Sequence, residues 1–366
     1  MSDDQPDRRG AGHGPTYAAL DLGTNNCRLL VARPSRRGFK VIDAFSRIIR
    51  LGEGVTATGQ LGETAMTRTM QALQVCAAKM ARHKVDRSRL VATEACRIAH
   101  NAPAFLDRVE RDLGLDIEIL SHEDEARLAV SGCASLIDAD ADLVLVFDIG
   151  GGSSELIWLD FAAHAGAGGR GPSRTLADRV DVQNAILAWT SLPVGVVTLA
   201  ERLGGRFIAR PEFEDMVTYV SNLVAPFEAK AGVNGMMHNR RVHLLGTSGT
   251  VTTVAGVHLG LPHYDRSRVD GCWITTSDVR SVTNKLLDSN YDQRVAEPCI
   301  GRERADLVLA GCAILEALLR TWPSERLRVA DRGLREGILA SLMSEDTRPG
   351  GDPRRDPTRD LRRDQR

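Results

Sequence analysis

Ala18-Ala19-Leu20-Asp21-Leu22-Gly23-Thr24-Asn25-Asn26-Cys27-Arg28-Leu29-Leu30-Val31 aligns without a gap with Leu145-Val146-Phe147-Asp148-Ile149-Gly150-Gly151-Gly152-Ser153-Ser154-Glu155-Leu156-Ile157-Trp158. Each copy is an apolar strand, Asp-(Leu/Ile)-Gly, a small polar loop and a second apolar strand. Two copies 127 positions apart (148 minus 21) predict two lobes built on one plan. Within each copy the glycine lets the chain turn, and the small residues leave successive backbone N–H groups uncovered, which makes an anion-binding concavity. The Asp at the strand end can hold a hydrated cation; without one it would repel a phosphate. A single copy reads equally well as a tight hairpin, and it is the duplication that favours the phosphate loop. A third cluster of small donors, Leu245-Gly246-Thr247-Ser248-Gly249-Thr250, follows an apolar strand and by itself reads as a plain loop.

Working outward, strands and helices alternate. Residues 17–20 and 29–32 read as paired strands, and 143–147 as a buried strand with 154–159 as its hairpin partner. Residues 64–83 show helical spacing, with Met66, Met70, Leu73, Ala77 and Met80 on one face. Asn101 is placed to cap a helix to about residue 113, with Pro103 in its first turn. Ser121 opens another helix ending near residue 136. Short strands are predicted at 90–92, 117–120 and 327–330, and a strong helix at 305–319. This mixture implies α/β layering. Residues 1–15 and 344–366, dominated by Gly, Pro, Asp and Arg, read as a disordered leader and tail.

A chain of 366 residues with a 43% hydrophobic and 26% charged composition can bury the cores of two domains. The net charge of -1 excludes a global field that would favour nucleic acid or a membrane surface. Of 47 basic residues only five are Lys, and Arg suits bidentate contact with phosphate. The seven cysteines are scattered, odd in number and without a C-x-x-C pair, so neither a disulfide framework nor a zinc knuckle is expected. Reduced thiols, an acidic N-terminus without an apolar h-region and no long apolar run together predict a cytoplasmic protein. The G-x-G-x-x-G at 166–171 is followed by Pro172 and opens no helix, so it reads as a surface loop. His238/His243 and His258/His263 lack metal-site context. No P-loop motif and no G-x-S-x-G occurs.

Taken with Thr93-Glu94-Ala95-Cys96-Arg97, the 120–128 segment, Leu192-Pro193-Val194-Gly195 and Asp331-Arg332-Gly333-Leu334-Arg335-Glu336-Gly337, the three loops resemble the exopolyphosphatase / guanosine pentaphosphate phosphohydrolase (Ppx/GppA) family. The motifs occur in the family's order and span about residues 18–339. That family belongs to the actin-like, sugar-kinase and Hsp70-like superfamily. The resemblance implies a two-lobed actin-like fold with a central cleft, lobes at 16–128 and 129–343, and a last helix able to pack back on the first lobe. The sequence is similar to the short, two-domain form.

The resemblance also implies a Mg²⁺-dependent hydrolase that removes the terminal phosphate of polyphosphate or guanosine pentaphosphate. Backbone donors of Gly23, Thr24, Asn25 and Asn26, of Gly150, Gly151, Gly152 and Ser153, and of Gly246, Thr247, Ser248, Gly249 and Thr250 would cradle phosphates. Arg28 and Arg127 would add charge. Glu125 would be the base, Arg97 would face the cleft and offset charge on the transferring phosphate, and Asp148 and Glu155 would hold the metal. Where the family has Gly-Asn-Glu-Glu-Ala-Arg, this chain has His122-Glu123-Asp124-Glu125-Ala126-Arg127, so the base is kept and its neighbour has become Asp124. Read from the residues alone, Ser121-x-x-Asp124 is a capping pattern and both carboxylates suit a first helical turn. Expected partners are the phosphate substrate, with no nucleic acid and no membrane; a homodimer is a possible assembly. The rival readings are an ATP-dependent kinase of the same superfamily and a nucleotide or alarmone sensor without turnover.

Overall fold

The computed structural model describes residues 14–36, 38–163, 181–203 and 207–347. The first copy of the repeat folds as β1 (Tyr17–Leu22) and β2 (Asn26–Ser35), the second as β6 (Leu143–Ile149) and β7 (Ser154–Asp160). Both are antiparallel hairpins, and they place equivalent residues face to face: Asp21 opposite Arg28, and Asp148 opposite Glu155. Alternation sorts each strand between two layers. On β1, Ala18, Leu20 and Leu22 face the helix Glu63–Arg82, while Tyr17 and Ala19 face the other way.

β3 (Gly38–Ile48), β4 (Arg87–Ala92) and β5 (Glu118–Ile119) complete a sheet in the order β3-β2-β1-β4-β5. β8 (Ile186–Leu192), β9 (Val242–Thr247), β10 (Trp273–Thr275) and β11 (Arg326–Ala330) complete a second, β10-β11-β9-β6-β7-β8. Read from β8 to β11, the second sheet repeats the order and directions of the first and adds β10 at its edge. The duplication foreseen in the hairpins thus extends to whole lobes. Two such mixed sheets with helices define the α/β, actin-like fold.

In each lobe the last strand of this plan feeds a helix: β5 into His122–Cys133, β11 into Leu334–Thr347. Each helix packs on the other lobe's sheet. Leu334, Ile338, Leu339, Leu342 and Met343 join Tyr17, Ala19 and Leu30 in one apolar cluster. Ala126, Val130 and Cys133 join Val144, Val146, Ile157 and Leu245 in another. At about 1.5–3 kcal/mol per large buried side chain, this exchange of helices ties the lobes together strongly. Where the helices cross, a Cβ on Gly337 would lie 1.9 Å from the Leu128 carbonyl oxygen, and one on Gly132 1.8 Å from that of Gly333. Only glycine permits this approach.

Four expectations need correction. A division at 128/129 falls inside helix His122–Cys133, which packs on the second sheet. The tail does not begin at 344: the last helix runs to Thr347, Ser344 is buried, and Asp346 accepts a 2.5 Å hydrogen bond from the Tyr17 hydroxyl and pairs with Arg87. The helix expected at 305 starts at Val308. Asn101 does not cap its helix; its amide bonds both the N–H and the C=O of Leu61. The G-x-G-x-x-G at 166–171, most of the leader and residues 348–366 lie outside the described residues.

Candidate active site

The loops that close the two hairpins meet in a cavity of about 120 Å³ between the lobes. They touch directly. A Cβ on Gly152 would lie 2.7 Å from Thr24 Oγ1 and 2.9 Å from Glu94 Cγ, so the second loop must be bare of side chains here. Gly23–Asn26 and Arg28 line one wall, Gly150–Ser153 another. The strands beside each hairpin supply the rest: β4 leads into helix Glu94–Ile98, and β9 into helix Ser248–His258.

The third segment is therefore not a loop. Ser248, Gly249 and Thr250 form the first turn of helix Ser248–His258, which has no acidic residue there and no side-chain cap, and they line the cavity. A helix N-terminus of this kind presents unpaired N–H groups to an anion. Gly246 and Thr247 do not line it. Gly246 packs under the Phe147 ring, where a Cβ would come within 2.5 Å, and Thr247 donates its hydroxyl to the Arg332 carbonyl.

On the acidic side Glu155 is buried, and Glu125, Asp148 and Asp21 are partly so. Glu125, in the first turn of helix His122–Cys133, reaches the cavity beside Glu155, Asp148 and Asp21. Ser121 caps the helix, accepting from the Asp124 N–H, and its hydroxyl donates to the Asp124 carboxylate, so Asp124 is a cap residue. Burial, then the nearby Glu155, raises the Glu125 pKa well above the ordinary value, with Arg97 opposing. Burial with the charge of Asp148 lifts Glu155 to about 7, and burial lifts Asp148 to about 6 against the pull of Arg28. Asp21 is raised by burial as well. Donor atoms of His122, Glu125 and Glu155 lie within 4.8 Å of one another. Crowded, oxygen-rich carboxylates of this kind fit a hard divalent cation.

Arg97 stands behind the acids and does not line the cavity. Its Nη2 donates to Glu125 Oε2 and its Nη1 to Glu94 Oε2, each at 2.6 Å, while Nε and Nη2 both bond the Leu120 carbonyl. It holds the carboxylates rather than facing the cleft. Further expectations shift: the Gly23 N–H donates to the Asn26 carbonyl and the Gly150 N–H to that of Ser153, so both are used within their loops. The Ser153 hydroxyl donates to Glu155 Oε1 at 2.6 Å, leaving its loop to meet an anion through the backbone. Arg127 is half-buried and pairs with Glu123 one turn away, outside the cavity.

Arg28 has no hydrogen-bond or ion-pair partner among the described residues, though it acts on Asp21 and Asp148. Opposite it stands Arg304, which sequence reasoning missed. Arg304 lines the cavity, donates to the neutral Thr253 hydroxyl, and has its pKa lowered by burial and by Arg28. Two guanidinium groups held close without carboxylate partners leave room for an anion between them. Glu94 and Asp21 also line the cavity. Asp21 was legible as the counterpart of Asp148 in the repeat, and Glu94 lay within a quoted motif. Nothing local marked Arg304, which the fold brings in ahead of helix Val308–Thr321.

Two lobes on one strand plan, with glycine-rich anion loops facing a cluster of carboxylates across a cleft, define a phosphate-handling protein of the actin-like fold. The model of the Ppx/GppA phosphatase family matches residues 30–346, and the chain belongs to that family of phosphatases. Among solved structures it is similar to the Aquifex aeolicus family member, with 27% identity, 92% of this chain and 99% of that chain covered, and a TM-score of 0.71. It is similar to an exopolyphosphatase-like protein at 28% identity, covering 90% and 98% with a TM-score of 0.75. An exopolyphosphatase from Cytophaga hutchinsonii, 22% identical, shares the fold over 90% and 98% with a TM-score of 0.76. No helix among the described residues is long and apolar enough to cross a membrane.

Proposed function

We propose that the protein hydrolyses the terminal phosphoanhydride bond of inorganic polyphosphate, and guanosine pentaphosphate less well, with Mg²⁺ as cofactor and in the cytoplasm. The observation that carries this is Glu125, a part-buried carboxylate aimed by Arg97 into a cavity walled by two anion loops and a helix N-terminus. Phosphoanhydride hydrolysis needs an aligned water, charge neutralisation and a positioned leaving group. Glu125 orients the water and takes its proton. The N–H groups of Gly151, Gly152 and Ser248–Thr250, with Arg28 and Arg304, bind the phosphate oxygens. Asp148 and Glu155, with Glu125 adjacent, would hold the Mg²⁺, which supplies further charge neutralisation at the transferring phosphate.

Two features support polyphosphate. Among the described residues no aromatic ring lines the cavity to stack on guanine. A relative 28% identical to this chain is described as exopolyphosphatase-like. The cytoplasmic assignment agrees with seven unpaired cysteines, six of them buried. The deciding experiment measures phosphate release from polyphosphate, guanosine pentaphosphate and ATP side by side. The expected result is hydrolysis with the highest kcat/KM on polyphosphate. A several-fold preference for guanosine pentaphosphate at equal Mg²⁺ and salt would overturn the choice of substrate. ATP turnover that needs an acceptor would replace hydrolysis by kinase chemistry, and release from none of the three would leave a binding protein.

A further inference from the structure

Residues 49–54, between β3 and helix Glu63–Arg82, touch both lobes. On their own side they are fastened to the first phosphate loop: Ile49 and Arg50 N–H both donate to the Asn25 carbonyl, at 2.8 and 3.1 Å, and Gly52 N–H to that of Thr24 at 2.9 Å. Arg68 holds them from behind, donating to the Ile49 carbonyl and to Glu53 at 3.0 Å each. Across the cleft, Arg50 Nη2 reaches Asp306 at 3.0 Å and the Glu303 carbonyl at 3.2 Å. Gly54 N–H donates to Glu201 at 2.9 Å. Glu201 belongs to helix Val196–Leu203, whose first residues bond back to Gly150 and Gly151 of the second loop. Arg50 has φ 47°, a left-handed backbone that costs a non-glycine residue energy and is kept only where surroundings enforce it.

We propose that residues 49–54 are a clasp that sets the spacing of the two phosphate loops, and that Arg50 is a positioning residue: its bridge to Glu303 and Asp306 holds the cavity residue Arg304, which lies between them in sequence. This rests on reading the cavity as a phosphate site. One end of the clasp moves with Thr24 and Asn25, the other with Arg304 and, through Glu201, with the glycine loop of the second lobe. Separating the lobes breaks the Arg50 and Gly54 contacts and leaves those within the first lobe intact, so phosphate bridging both walls and the clasp favour the same closed spacing. Arg50 and Asp306 keep 32% and 25% of their side-chain surface exposed, so solvent screens the pair and it can open without a large barrier.

The test compares full-length wild type with Arg50→Glu, Asp306→Arg and the double exchange, all checked for folding by thermal melting, with Arg50→Lys as a milder variant. Readouts are KM and kcat for tripolyphosphate with Mg²⁺, and the radius of gyration in solution without substrate. Each single reversal should raise KM about 5–10-fold with a smaller change in kcat, and the double exchange should bring KM back to within about twofold of wild type. Arg50→Lys, which keeps the charge but loses the fork, should fall between. The radius of gyration should rise in both single reversals and return in the double. Single variants with wild-type KM and radius would overturn the proposal, and so would a double exchange as impaired as either single. If wild type releases no phosphate from tripolyphosphate, the functional reading fails, and the scattering comparison alone decides the clasp.

Discussion

Arg97 and Glu125 are joined by a 2.6 Å hydrogen bond from Nη2 to Oε2, and the same guanidinium is fixed to the Leu120 carbonyl one residue before the cap of Glu125's own helix. The arginine therefore sets both the direction and the proton affinity of the carboxylate. Glu125→Gln should lower kcat by about 10²–10⁴ with little change in KM, the usual worth of a positioned base. Asp124→Asn should stay near wild type. Arg97→Gln removes the charge that opposes the raised Glu125 pKa, so that pKa rises further. The base works deprotonated, and the acid limb of kcat/KM should move to higher pH. An unmoved acid limb, or equal losses at positions 124 and 125, would refute these roles.

The metal reading has a signature in stability. Asp148 at about 6 and Glu155 at about 7 both lie above the unfolded value of about 4. In that window the folded chain binds more protons than the unfolded one, so metal-free stability should fall as pH rises through about 4 to 7. A bound divalent cation keeps the carboxylates ionised and offsets this slope. Melting temperatures at about pH 5.5 and about pH 7.5, in EDTA and in Mg²⁺, check it. EDTA should also abolish turnover, and Asp148→Asn should raise the Mg²⁺ concentration required. Identical slopes with and without Mg²⁺, or full activity in EDTA, would exclude the site.

The end of the last helix is a structural element. A chain stopped after Thr347 keeps the Tyr17–Asp346 bond and the Arg87 pairs with Glu345 and Asp346. A chain stopped after Met343 leaves Arg87, 11% exposed, without its carboxylates. The shorter chain should be less stable by about 3 kcal/mol, as when one partner of a buried pair is removed. Equal denaturant midpoints for the two truncations would contradict this.

Gly337→Ala should destabilise by about 1–3 kcal/mol, because its methyl meets the Leu128 carbonyl. The sign is the informative part, since Gly to Ala inside an uncrowded helix stabilises by roughly 0.5–1 kcal/mol. Gly235, in helix Val233–Met237 with nothing near its Cβ position, is the control and should be neutral or better as Ala. Matching effects at 337 and 235 would show that the helix crossing tolerates a side chain.

What was legible in the chain was what neighbouring residues decide together. The two hairpins, their Asp positions and the Ser121 cap are short-range patterns, and the repeat turned one ambiguous hairpin into two lobes. Arg97 was found through its motif but misplaced, because whether an arginine faces an anion or braces a carboxylate depends on Leu120 and Glu125, more than twenty positions away. Gly246 and Thr247 were grouped with Ser248–Thr250 because small residues look alike in sequence; the change from strand to helix at 247/248 separates their tasks. Arg304 and the exchanged helices depend on pairings across the whole molecule, and no local spacing encodes them.

The exchange of helices also bears on synthesis. Leu334, Ile338 and Leu342, which cover Tyr17, Ala19 and Leu30, leave the ribosome about three hundred residues after them. At about 5–20 residues per second, roughly 15–60 s separate Leu30 from Leu334. For that interval the first sheet shows an uncovered apolar face, a natural holding surface for a chaperone and a hazard without one. Translation halted anywhere between the first sheet and Leu334 would leave that sheet without its cover.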